Sequence, residues 1–179
     1  MKEENDMTAT FDNILSLIKT AKERIIKTVN TEMIDLYWQI GKEVSEKTNN
    51  GGWGKSVVEE LANHISSHFG AMRGFSAQNI WRMKQFYETY RDKPILSTLL
   101  RELSWSNNLL IMSRTKDDDE KLFYLKLTIE EKYSYRELDR QISAMRYERA
   151  SISATKTKNL PVRPAIKDQF LDSYVLDFL

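Results

Sequence analysis

GAMRGFSAQNIWRMKQFYETY, residues Gly70 to Tyr90, sets out a turn followed by a helix. Gly70 and Gly74 bracket the turn and can take the left-handed backbone that residues with a Cβ avoid. Ser76 is of the type that caps a helix N-terminus, and the residues after it run to Tyr90 without proline or glycine. Wound at about 100° per residue, they gather Ile80, Met83, Phe86, Tyr87 and Tyr90 on one side and Gln78, Trp81, Arg82 and Gln85 on the other. With a helix before it, this segment reads as the second half of a helix-turn-helix. Amides and an arginine on its outer side are the groups that read base edges in a major groove, while Arg73, Ser76 and the first helical amides suit a phosphate. The plainer alternative is a core helix whose polar side is merely wet.

Upstream, Thr8 to about Thr48 carries Phe11, Leu15, Ile18, Ile25, Val29, Met33, Leu36, Ile40 and Val44 close to a 3.6-residue spacing, widened by Ile14, Ile26 and Tyr37. An amphipathic helix of that length extends about 60 Å, more than so small a domain can cover. It therefore either breaks near Asn30-Thr31 or offers its N-terminal half to another chain, and a homodimer through this helix is expected. Asn49-Asn50-Gly51-Gly52 ends it. A second helix is expected over Ser56–Phe69, with Val57, Leu61, Ile65 and Phe69 on one face and Trp53 plugging the junction before it. Gly54-Lys55-Ser56 has the end of a phosphate-binding loop, but Asn49 stands where that loop needs its first glycine, and a helix precedes it instead of a strand. His64 and His68 are four residues apart, yet no H-E-x-x-H acid separates them and no third ligand is evident, so no metal is expected.

Downstream, Pro94 opens a short helix over Ile95–Leu103, and Ser104–Asn108 breaks and recaps the chain ahead of a helical piece over Leu109–Arg114. Asp117–Asp119 place acids at the positive end of a helix that runs to about Glu131. Ser134-Tyr135-Arg136-Glu137 is a capping box. The helix it opens reaches about Tyr147, with Leu138, Ile142 and Met145 inward and Arg136, Arg140 and Arg149 outward. This second helix pair loosely repeats the first, Ser134 answering Ser76. Ala150–Lys167 is rich in Ser, Thr, Lys and Pro and reads as an extended basic linker, after which Phe170–Leu179 is a short apolar end. The fold class is all-α: a multi-helix bundle with a helix-turn-helix-like core and a long N-terminal amphipathic helix.

Composition narrows the function classes. Six glycines and three prolines in 179 residues favour long regular elements over a loop-rich β fold. No apolar run approaches a membrane span, and the first residues, MKEENDM, hold no signal-peptide core. The absence of cysteine excludes disulfides and cysteine-based zinc sites and fits a cytoplasmic location. The net charge of +1 conceals strong patterning. Residues 71–116 carry 8 basic and 3 acidic groups, 117–131 carry 2 and 6, and 132–167 carry 9 and 3. Two basic blocks flanking an acidic one suit an anionic polymer; the alternative is that they are ordinary solvated faces.

Several strings, in order, resemble one family: LYWQIGKEV (Leu36–Val44), GWGKSVVEELA (Gly52–Ala62), GFSAQNIWRMKQFYETY (Gly74–Tyr90), LSWSNNLLIM (Leu103–Met112), FYLKLTIEEKYSYRELDRQI (Phe123–Ile142) and SYVLDFL (Ser173–Leu179). Together they are similar to the N-terminal domain of the YhcG family of bacterial proteins, a helical domain that precedes a nuclease domain of the PD-(D/E)xK type. The resemblance implies a helical domain over residues 1–149, a basic linker over 150–169 and the start of the nuclease domain over 170–179. It implies a DNA-binding or assembly module without catalytic residues or cofactor of its own, since Mg²⁺ would serve the nuclease domain. Glu130-Glu131-Lys132 spells E-x-K, yet it ends a helix and lacks the strands that such a metal site needs. Phosphate contacts are expected from Arg73, Ser76, Lys84, Arg101, Arg136 and Arg140, and groove contacts from Gln78, Arg82 and Gln85, to duplex or branched DNA. Ala77 and Gln78 stand where the family often carries basic residues, which lowers the local charge. The competing expectation is a helical dimeriser or protein-interaction module that places nuclease domains without touching DNA.

Overall fold

The first helix, α1 (Lys2–Asn49), runs unbroken through Asn30-Thr31, so of the two outcomes left open by its length the break is eliminated. At 48 residues it is about 70 Å long. The computed structural model describes residues 2–49, 51–70 and 73–158, with side chains from 10 to 152. Seven further helices follow: α2 (Lys55–Phe69), α3 (Ala77–Tyr90), α4 (Pro94–Leu100), α5 (Trp105–Arg114), α6 (Asp118–Glu130), α7 (Tyr135–Ser143) and α8 (Arg146–Lys158). No strand occurs among the described residues. The chain divides into two units, residues 1–147 and 148–179. Of the second, the described part is α8 from residue 148 on, so the stretch expected as an extended linker is helical as far as Lys158. The rest of that linker and the 170–179 segment lie outside the described residues.

In the first unit α3 is the central strut, packed along the C-terminal half of α1. The closest approach is at Gly41, where a Cβ would stand 2.2 Å from the carbonyl oxygen of Met83. Only hydrogen fits there. On one side of this contact Tyr37, Val44, Val58, Ile80 and Met83 form a small core, with Trp53, Leu61 and Trp81 packed against it. On the other, Phe86, Tyr90, Leu100, Ile111, Tyr124, Leu125 and Leu138 join Ile34 of α1 in a larger core drawn from α1 and from α3 to α7. Trp105, the first residue of α5, touches both cores. Its ring meets Tyr37 and Phe86 edge-on at 4.8 and 5.1 Å, and its Nε1–H donates to Asn79 Oδ1 at 3.0 Å. Edge-to-face contacts of this kind hold the two cores in register.

The helix starts obey local chemistry. Ser76, Ser104, Asp117 and Ser134 each accept a hydrogen bond from the backbone N–H three residues on. The cap at Ser104 starts α5 at Trp105, four residues earlier than the apolar pattern from Leu109 suggests. At Ser134 only half of the expected box forms: Glu137 turns from the cap toward Arg140 and Gln141, 2.9 and 2.7 Å away. The helix from Ser134 also stops earlier than expected. Its regular part ends at Ser143, and Met145 takes φ +53° and is 57% exposed, so Met145 is not the core residue its spacing suggests. Likewise Phe69 is exposed and Val58 holds the buried position of α2.

The N-terminal half of α1 differs from the rest. Phe11, Ile14, Leu15, Ile18, Ile25, Ile26 and Val29 are all about half exposed or more. The opposite side of the same stretch is tied to the unit by ion pairs, Glu23 to Lys132 at 3.2 Å and Lys27 to Glu102 at 2.9 Å, and farther along Asp35 to Arg101 at 2.6 Å. Because α1 is unbroken, the packing of its C-terminal half on α3 fixes its rotation, and the apolar stripe of the N-terminal half faces outward.

Candidate nucleic-acid interface

The connection from α2 to α3 shows how the local sequence presents α3. Gly74 adopts φ +101°, a conformation that suits glycine, and Asn79 Nδ2 donates back to its carbonyl at 2.5 Å. Asn79 therefore stitches the turn to the helix start while its Oδ1 receives Trp105. The connection, residues 70–76, is longer than the three- or four-residue turn of a tight helix-turn-helix.

From this start α3 buries Asn79, Ile80, Met83, Phe86 and Tyr90, leaving Gln78, Arg82 and Gln85 exposed, with Ser76 and Arg73 exposed just before them. Two residues depart from the helical-wheel expectation. Trp81, expected on the outer side, is half-buried against the small core. Tyr87, expected in the core, is only half-buried, edge-on to Trp38 at 5.1 Å. The turn of the helix against both α1 and α2 widens its buried arc toward Trp81.

The basic residues divide by what they already hold. Lys84 is largely covered, pairs with Glu88 at 3.2 Å and lies over the Trp81 ring at 5.6 Å. Burial pushes the Glu88 carboxyl upward, but hydrogen bonds from Ser45 and Lys84 and the Lys84 charge outweigh it and hold the pKa below its ordinary value. Arg101 is engaged with Asp35 and the Ser97 carbonyl. Arg140 pairs with Glu137 at 2.7 Å while staying open to solvent. Arg73, Arg82 and Arg136 are exposed and make no ion pair among the described residues. Of the expected contact residues, these three are the cations with most freedom to meet an anion.

Arg82 and Gln85 line one open cleft of about 340 Å³ together with Ser106, Met112 and Ser113 of α5 and Tyr135 at the start of α7. Tyr135 is 49% exposed, and no carboxylate lines the cleft. The arrangement offers a cation, an amide, two hydroxyls and an open aromatic edge, with Arg136 next to Tyr135 in sequence. Of the expected contact residues, Arg82 and Gln85 meet here, whereas Arg101 and Lys84 do not line the cleft. Ser106, Ser113 and Tyr135 were not legible as contact residues, although an aromatic beside the Ser134 cap and outside the Leu138–Ile142 apolar period was a signal. The His64 and His68 rings lie 4.3 Å apart on the exposed side of α2, and no group of three or more His, Asp or Glu ligands gathers among the described residues. No helix among them is long and apolar enough to cross a membrane.

The profile of the DUF1016 N-terminal domain matches residues 13–149. Among curated proteins, the chain is 25% identical over 206 residues to the Escherichia coli (strain K12) protein named "Putative nuclease YhcG", with 94% of this chain and 54% of that protein covered. The chain thus spans about half the length of this relative. No solved structure gives a significant match.

Proposed function

The chain belongs to the DUF1016 N-terminal domain family, and from that premise we propose that it is the DNA-binding module of a nuclease-associated protein. One observation supports this reading above the others: the exposed side of α3 opens, through Arg82 and Gln85, onto a carboxylate-free cleft that also receives Tyr135. In this reading α2 and α3 act as a helix-turn-helix with a long connection. Gln78, Arg82 and Gln85 face base edges, and Arg73, Ser76, Arg136 and Arg140 face phosphates. Lys84 and Arg101 hold carboxylates of their own chain and contribute less than the basic pattern suggests. The ligand is duplex or branched DNA, and cutting it falls to residues outside this chain, so the module needs no metal.

Fluorescence anisotropy of the chain with labelled duplex and four-way junction DNA tests this. About four phosphate contacts imply a loss of roughly a hundredfold in affinity between 50 and 200 mM salt. Arg73→Ala combined with Arg82→Ala is expected to weaken binding by about tenfold or more. Unchanged affinity in that double variant defeats the site, and absence of binding to either DNA defeats the reading.

A second reading has its own support in the half-exposed apolar stripe of α1. In it the chain is a homodimer, with the N-terminal halves of two α1 helices packed together. Patches of this extent mark interaction surfaces. A monomer mass by light scattering at high concentration would exclude it. The two readings are compatible, since the stripe and the cleft use different residues.

A further inference from the structure

We infer that two copies of α1 pair antiparallel, centred near residue 27, with Lys22 of each copy facing Glu32 of the other. This rests on the homodimer reading and goes beyond it by assigning direction and register. The stripe repeats with a heptad: Leu15, Lys22, Val29 and Leu36 occupy one core position and Phe11, Ile18, Ile25 and Glu32 the other. Phe11, Leu15, Ile18, Ile25, Val29 and Leu36 are 41–63% exposed. With Ile14 and Ile26 they leave on the order of 900 Å² open on each copy, about what one partner contributes to a standard interface.

Direction follows from the two charges that interrupt the stripe. Lys22 and Glu32 are both exposed, and neither makes an ion pair among the described residues. Parallel pairing in register sets Lys22 against Lys22 and Glu32 against Glu32, like charges in the seam. Antiparallel pairing about residue 27 sets Ile18 opposite Leu36, Ile25 opposite Val29 and Lys22 opposite Glu32, each twice by symmetry. Between residues 18 and 36 every apolar core position meets an apolar one and each charge meets its opposite, while Leu15 and Phe11 extend toward Gln39 and Glu43. The contacts of Glu23, Lys27 and Asp35 with the unit lie on the other side of the helix and are left in place. Each unit then sits on the outer side of the pair, and the two copies of a given cleft are related by the central two-fold.

The chain has no cysteine, which makes disulfide mapping direct. In the antiparallel pair the two copies of residue 18 are about 27 Å apart along the axis, beyond disulfide reach. Oxidation of an equimolar mixture of Ile18→Cys and Leu36→Cys is expected to give a cross-linked heterodimer, and neither variant alone a cross-link. In sedimentation equilibrium, Lys22→Glu and Glu32→Lys should each weaken the dimer about tenfold, and the doubly exchanged chain should recover it. A monomeric parent chain overturns the homodimer reading and this inference together. A dimeric parent in which Ile18→Cys links to itself, or in which no combination links, keeps the homodimer and overturns the antiparallel register. Charge reversals without effect do the same. Circular dichroism of each variant confirms that the solvent-facing changes leave the helices intact.

Discussion

Tyr90 shows how much a single position in α3 carries. Its ring is fully buried between Phe86 and the larger core, at 5.2 Å from Phe86, yet its hydroxyl finds no hydrogen-bond partner among the described residues. Burial first, and then the charge of Asp118, push its phenol far above the ordinary range, so it stays neutral. A buried donor without a partner costs about 1–3 kcal/mol, and removing it leaves the ring packing untouched. Tyr90→Phe is therefore expected to raise stability by about 1 kcal/mol in chemical denaturation; a loss of similar size would show that the hydroxyl is bonded after all. Asn79 is the opposite case. Its amide is satisfied on both sides, by Gly74 and Trp105. The spacing of apolar residues marked Tyr90 as core correctly, but it had no means of marking Asn79, a polar residue whose burial depends on a tryptophan 26 residues away.

Between elements, the decisive contact is α1 against α3. Gly41 lies in the interior of the C-terminal half of α1, where glycine costs about 1 kcal/mol relative to alanine in an isolated helix. Propensity alone would make Gly41→Ala stabilising. The structure reverses the sign, because the added methyl would overlap the Met83 backbone, with its carbonyl carbon 2.7 Å away. Backbone cannot yield as a side chain can, so the helices must separate and the cores on both sides loosen. Gly41→Ala is expected to destabilise by about 3 kcal/mol, read as a lowered urea midpoint; a gain would mean that the two helices can slide apart without loss. The break between α7 and α8 teaches a related lesson. Spacing alone extended the helix to Tyr147, while the chain turns through a left-handed Met145, a change of direction that a periodic pattern does not record.

Across the whole first unit, α1 has two parts with different duties. Its C-terminal half buries Ile34, Tyr37 and Val44; the ion pairs of Glu23 and Lys27, nearer its N-terminal half, are exposed and worth about 0–1 kcal/mol each. Deleting residues 1–21 is accordingly expected to shift the melting temperature by only a few degrees at high dilution while abolishing self-association. A collapse of the fold in the monomeric state would show that the free half supports its own chain. Residue order by itself determined the all-α class, the ends of most helices and the apolar sides of α3 and α7, because capping and periodicity act over a few residues. It also made the outer side of α3 and the excess length of α1 visible. Only the tertiary structure decided that α1 does not break, that Arg101 is held by Asp35, and that Arg82 and Gln85 share a cleft with Tyr135. Those outcomes depend on which distant groups meet, and a meeting between residues dozens of positions apart leaves no local periodicity to read.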